Sequence, residues 1–101
     1  MKEKKLWESG TIELWKGGYK LYKCEEKKYK KMVEFAIEKI KRKLDRIFGS
    51  GFNLEQLINL YLLDNGWLCE ALVKEFGTLP NLHIVEDSAY YLIAKEKGWV
   101  N

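Results

Sequence analysis

The sequence contains few of the residues that build cross-linked or reactive sites. Its 101 residues include one proline, one histidine and two cysteines. Cys24 and Cys69 are too few for a disulfide scaffold, and neither has a second cysteine at the spacing of a zinc ligand pair. The single histidine, His83, excludes most metal sites and leaves little basis for a histidine proton relay. We therefore expect reduced thiols in or near the core, no cofactor and no enzymatic activity.

Long apolar stretches are also absent. No run approaches the ~18 residues that cross a bilayer, and residues 1–5 are not followed by the apolar segment of a secretion signal. An apolar content of 47% excludes a disordered chain, and a charged content of 33% excludes a membrane protein. The length suits one domain with one core. We expect a single cytoplasmic domain over residues 1–101, without a membrane or small-molecule partner.

Charge is divided unevenly along the chain. Residues 1–46 contain 15 basic and 8 acidic residues, a net charge of +7. Residues 47–101 contain 3 basic and 7 acidic residues, a net charge of −4. Such a positive half attracts polyanions, so functional residues are expected in the first half of the chain.

Alternating polar and apolar residues near the N-terminus predict a β-hairpin. Residues 11–15 alternate, Lys16, Gly17 and Gly18 supply a turn, and residues 19–24 alternate again. This is the pattern of two half-buried strands joined by a tight turn. We expect the hairpin to form an extension over about residues 6–24.

A long amphipathic helix is predicted next. Apolar residues recur at steps of three and four from Glu26 to Phe48, and Gly49 and Gly51 end the pattern. Phe35 lies on the polar side, as an aromatic residue does in many nucleic-acid surfaces. The same side carries the basic residues Lys28, Lys31, Lys39, Arg42, Lys43 and Arg46.

Two short helices should follow. Asn53 can cap the first of them, and Gln56 stands at the capping-box position, so this helix should run from Leu54 to about Leu63. Residues 64–66 then break it, with Asn65 or Gly66 suited to a left-handed conformation. A further helix is expected over residues 67–76, and two helices joined by a three-residue turn are a helix-turn-helix candidate. Both are apolar on nearly every face, which indicates either deep burial or a protein interface.

The C-terminal part is open to two interpretations. Residues 82–85 and 89–94 are rich in β-branched and aromatic side chains, and they flank the polar residues Glu86, Asp87 and Ser88. This favours a second, two-stranded hairpin. Alternatively, Ser88 caps a final helix that ends at Gly98, so residues 88–97 are either strand or helix.

This order of elements predicts an α+β fold, with three helices between an N-terminal β-hairpin and a C-terminal two-stranded hairpin. From Glu26 to Val100 it resembles a winged helix-turn-helix domain. Small lysine-rich proteins of this class occur among conjugative-plasmid accessory factors that bind origin-of-transfer DNA. The resemblance implies a sequence-specific protein that binds double-stranded DNA and acts in plasmid or phage DNA processing or in transcription control. We expect its apolar, acidic half to form a homodimer, which would match repeated sites in the DNA, or to carry a partner.

The expected DNA contacts lie outside the usual recognition helix. Residues 67–76 contain one basic and two acidic residues, and glutamates would repel phosphates. A basic hairpin fits a major groove, and a basic N-terminal arm fits a minor groove. The candidate DNA-binding residues are therefore Lys4, Lys5, Lys16, Lys20, Tyr22, Lys23, Lys28, Lys31, Lys39, Arg42 and Arg46.

Two alternatives use the same charges. The lysine-rich helix face is also compatible with an ordinary solvated surface that holds ion pairs between neighbouring turns, such as Glu38 with Arg42. The main functional alternative is a protein-binding adaptor or inhibitor whose basic face meets an acidic partner.

Overall fold

The computed structural model describes residues 20, 24–49, 51–63, 65–78 and 82–99. These residues form four α-helices: α1, Glu26–Phe48; α2, Leu54–Leu62; α3, Gly66–Phe76; and α4, Leu82–Glu96. No strand occurs in the described ranges. The predicted α+β winged-helix architecture is therefore wrong for this part of the chain, which is all-helical. The N-terminal hairpin falls outside the described residues, apart from Lys20, whose backbone is helical, and Cys24, which lies in a bend.

The long helix predicted from the spacing of the apolar residues is confirmed as α1. Its last turn ends at Gly49, where the N–H donates to the Asp45 carbonyl over 2.9 Å and φ is 80°. A positive φ of this size is accessible to glycine without a Cβ clash, so the helix stops there. One face of α1 is removed from solvent and consists of Tyr29, Met32, Val33, Ala36, Ile40 and Leu44.

The capping box predicted at the start of α2 is also confirmed. The Gln56 N–H donates to Asn53 Oδ1, and the Asn53 N–H donates to Gln56 Oε1, both over 2.9 Å. These bonds satisfy two of the N–H groups that a helix start leaves unpaired. At the other end, Asn65 Nδ2 donates to the carbonyls of Tyr61 and Leu63. Asn65 has a φ of −96°, so the turn into α3 does not use the left-handed conformation expected there.

The predicted C-terminal hairpin is one continuous helix, α4. Ser88 is neither a turn residue nor a cap, since it lies in the middle of α4 and is fully buried. Its hydroxyl shares a hydrogen bond of 2.5 Å with the Tyr29 hydroxyl of α1. The alternative of a final helix is nearer to the structure, but that helix begins six residues before Ser88.

The side-chain contacts show how the helices are arranged. Tyr29 of α1 meets Ser88 of α4, and Lys41 meets Glu96 with an Nζ to Oε2 distance of 3.0 Å, so α1 and α4 run parallel. Helix α2 packs against both α1 and α4, and the ring of its Tyr61 is 5.1 Å from the ring of Tyr90 in α4. Helix α4 thus contacts both α1 and α2, and eight of its fifteen residues are buried.

Helix α3 packs against α1. The rings of Phe35 and Phe76 meet edge to face at 5.4 Å, and the Lys43 ammonium lies 5.1 Å from the ring centre of Trp67. The start of α3 thus lies beside the later part of α1, and its end beside the earlier part, so the two helices are antiparallel. With α4 and α3 on either side, α1 has one side left to solvent.

Candidate nucleic-acid interface

Helix α1 carries the positive charge of the described structure. It contains nine basic and four acidic residues, a net charge of +5. Helices α2, α3 and α4 together contain two basic and six acidic residues, a net charge of −4. The uneven charge along the sequence therefore corresponds to a difference in net charge between α1, which is positive, and the three helices packed around it, which together are negative.

Five cations of α1 share one side of the helix. At 100° per residue their positions fall within an arc of about 80°. Four of the five side chains are exposed, and Lys39 is half-buried. We call this set the basic face; it consists of Lys28, Lys31, Lys39, Arg42 and Arg46.

Lys43 does not belong to the basic face, although the sequence placed it there. Its ammonium lies over the ring of Trp67, and its side chain is half-buried on the side that packs against α3. A lysine in this position covers an aromatic surface with its methylene stem and contributes a cation–π contact. It stabilises the packing of α3 on α1 and is less available to a phosphate.

The basic face extends along most of α1. Lys28 and Arg46 are 18 residues apart in the sequence, which corresponds to roughly 27 Å along the helix axis. The cations form two groups, Lys28 with Lys31 near the start and Lys39, Arg42 and Arg46 near the end.

Ion pairing separates the basic face from the opposite flank of α1. On that flank Lys30 pairs with Glu26 at 3.4 Å and Lys41 pairs with Glu96 at 3.0 Å. On the basic face Arg42 Nη2 lies 2.8 Å from Glu38 Oε1, and both side chains are exposed. The other four cations of the face form no ion pair with the described residues.

A shallow groove of about 410 Å³ borders the basic face where α1 meets α3. Phe35 and Lys39 line it from α1, and Ala71, Lys74 and Glu75 line it from α3. Phe35 is half-buried against Phe76, with the Lys39 ammonium 5.3 Å from its ring centre, so it acts mainly in packing. Lys74 is an exposed cation beside the face that the sequence analysis did not select, because its position depends on how α3 crosses α1.

The remaining candidate contacts depend on residues that the structure does not describe. These are Lys4, Lys5, Lys16, Tyr22 and Lys23, and the prediction that they share a surface with α1 stays a prediction. Lys20 is described and exposed.

The described residues contain no group of three or more His, Cys, Asp or Glu side chains that could hold a metal ion. Both cysteines are free and half-buried, as expected. Burial raises the pKa of Cys24 despite the opposing charge of Lys28, which disfavours the reactive thiolate form. Within the same residues, no helix has the length and apolar character needed to cross a bilayer.

Comparison with known proteins adds no assignment. No protein-family model, no curated protein and no solved structure matches the chain significantly.

Proposed function

We propose that this protein binds double-stranded DNA through the basic face of α1. The observation that carries the proposal is the concentration of five cations within one arc of α1, four of them exposed. Opposite charge on α2, α3 and α4 orients the molecule in the field of a polyanion, because the negative helices are repelled while α1 is attracted.

The contacts of the basic face would be made mainly with phosphates. Because α3 and α4 cover two sides of α1, the basic face is a strip of lysine and arginine side chains, with the exposed acidic residues Glu34, Glu38 and Asp45 beside it, and such a strip suits the sugar-phosphate backbone. Phosphate contacts position a protein on the duplex but carry no sequence information. We assign sequence recognition to the N-terminal residues, where Lys16, Lys20 and Lys23 would contact base edges.

A dimer would double the number of phosphate contacts and would match repeated sites in the DNA. We propose that the protein is cytoplasmic. It would act in plasmid or phage DNA processing, such as origin-of-transfer binding in conjugation, or in transcription control.

A protein-binding adaptor is the second candidate. It is favoured by Leu62 and Leu63, which are 65% and 63% exposed at the end of α2. Large apolar side chains exposed next to each other are typical of protein interfaces. In this case the basic face would meet an acidic partner.

Fluorescence anisotropy with a labelled duplex of about 20 base pairs and random sequence tests the proposal. Phosphate contacts from the four cations of the basic face that form no ion pair give a slope of log affinity against log salt of about −3.6, so affinity should fall roughly 150-fold between 50 and 200 mM salt. A protein that does not bind duplex DNA at 50 mM salt would contradict the proposal and favour the adaptor.

A matched pair of double variants tests the location of the site. Lys28→Gln with Lys31→Gln removes two cations of the basic face, and Lys30→Gln with Lys41→Gln removes two cations from the opposite flank. The first should lower affinity about 60-fold at 0.1 M salt and reduce the slope by about 1.8. The second has the same net charge and should change affinity much less. Equal losses in the two variants would place DNA binding elsewhere.

A further inference from the structure

The basic face of α1 has a gap between its two groups of cations. Lys31 and Lys39 are eight residues apart, which corresponds to roughly 12 Å along the helix axis. At 100° per residue, Phe35 lies within the same arc as the five cations and halfway along this gap. A polyanion that follows the basic face would therefore contact no cation of α1 over this stretch.

The C-terminal end of α3 lies beside the gap. The ring of Phe76, the last residue of α3, meets the ring of Phe35 edge to face, with 5.4 Å between the ring centres. The start of α3 lies farther along α1, where Trp67 packs under the Lys43 ammonium. A side chain on the last turn of α3 can thus supply the positive charge that α1 lacks in the gap.

Lys74 is the cation on that turn. It precedes Phe76 by two residues, its side chain is exposed, and it lines the same groove of about 410 Å³ as Phe35 and Lys39. Lys74 takes part in none of the ion pairs among the described residues. Glu75 also lines the groove, so its charged side chains, two lysines and one glutamate, leave a net charge of +1.

We infer that this groove holds a backbone phosphate of the bound duplex between Lys39 of α1 and Lys74 of α3. Helix α3 then contributes one DNA contact, which fills the gap in the basic face. The inference rests on the proposed function, because it extends the same surface to a second helix.

The chemistry of the groove suits a phosphate. The Lys39 ammonium lies 5.3 Å from the ring centre of Phe35, which keeps it beside the groove. Lysine binds phosphate as a point charge, so ammonium groups from two helices can contact one phosphate without a fixed mutual orientation. A phosphate contact also agrees with the composition of α3, whose glutamates make it a poor reader of bases.

Lys74→Gln tests the inference by fluorescence anisotropy with the random duplex of about 20 base pairs. Loss of one phosphate contact should lower affinity about eightfold at 0.1 M salt and reduce the slope of log affinity against log salt by about 0.9. Lys74→Arg keeps the positive charge and should retain the wild-type affinity and slope. The side chain is exposed, and lysine, arginine and glutamine have similar helix propensities, so both variants should fold.

Lys95→Gln is the matched control. Lys95 is the other basic residue of the three helices packed around α1, and it is exposed on α4, with its ammonium 5.9 Å from the ring centre of Tyr91. The variant changes the net charge equally. It should leave the slope unchanged, because it removes a cation that does not line the groove.

The outcomes separate this inference from the proposed function. A loss in Lys74→Gln that Lys74→Arg restores and Lys95→Gln lacks would support it. Equal losses in Lys74→Gln and Lys95→Gln, or no loss in Lys74→Gln, would overturn the inference alone if the wild-type protein binds the duplex. A wild-type protein that does not bind the duplex at 50 mM salt would overturn both.

Discussion

Replacing Glu38 with glutamine should strengthen DNA binding. Glu38 is the acidic residue that the structure pairs with the basic face, and its Oε1 lies 2.8 Å from Arg42 Nη2. In the free protein this pair holds the Arg42 guanidinium next to a negative charge. Binding of a phosphate at Arg42 must either break the pair or place a phosphate close to a carboxylate. Glu38→Gln removes both costs without a change of side-chain size.

The magnitude follows from counter-ion release. One additional phosphate contact contributes about 0.9 to the slope of log affinity against log salt, which is about an eightfold gain in affinity at 0.1 M salt and about fourfold at 0.2 M. The cost to the protein is small, because an exposed pair between residues i and i+4 stabilises a helix by about 0.3–0.5 kcal/mol. The folded fraction should therefore be unchanged.

Glu26→Gln is the matched control. It removes the same type of ion pair, Glu26 with Lys30, from the opposite flank of the same helix, and it changes the net charge equally. Anisotropy titrations of the wild type and both variants at several salt concentrations should show the gain and the steeper slope for Glu38→Gln only. Equal gains would indicate a general effect of net charge. No gain for Glu38→Gln would mean that Arg42 does not contact DNA.

Two further predictions concern the fold. Tyr29→Phe and Ser88→Ala should each lower the free energy of unfolding by about 1–2 kcal/mol in denaturant titrations, because each removes one partner of a buried hydrogen bond. The double variant should show a coupling energy of about 1 kcal/mol. Strictly additive effects would contradict the pairing of α1 with α4. Asn53→Ala should lower the free energy of unfolding by about 1 kcal/mol and Asn53→Gly by only a few tenths, since the capping bond to Gln56 is lost and glycine tolerates the cap position; a larger loss in the glycine variant would contradict the capping role.

The local signals of the sequence predicted α1 and the start of α2 correctly. In both cases the physical cause lies within a few residues. The buried face of α1 follows from apolar residues at steps of three and four, and the capping box needs only Asn53 and Gln56. Lys43 was misplaced because its position is only about 40° around the helix from that of Lys39, and only the position of α3 shows that its side chain packs on Trp67.

The error at α4 has a different origin. This helix packs against both α1 and α2, so eight of its fifteen residues are buried and the contrast between an apolar and a polar face is weak. Without that contrast, β-branched and aromatic residues indicate strands. The polar residues Glu86, Asp87 and Ser88 then resembled a turn, although tertiary partners hold two of them, Tyr61 for Asp87 and Tyr29 for Ser88. Neither partner could be identified from the sequence.

Although the predicted fold class is wrong, the candidate DNA-binding surface on α1 does not change, because the buried residues of α1 decide which side of the helix faces solvent. The six buried residues of α1 fix the rotation of that helix about its axis, because turning it would expose them and bury charged side chains. Once the rotation is fixed, helical geometry places Lys28, Lys31, Arg42 and Arg46 on the solvent side whether the partner of α1 is a hairpin or a helix. The basic face therefore depends on the periodicity of a single helix. Comparing the variants at Lys28 and Lys31 with those at Lys30 and Lys41 tests directly which side of that helix binds DNA.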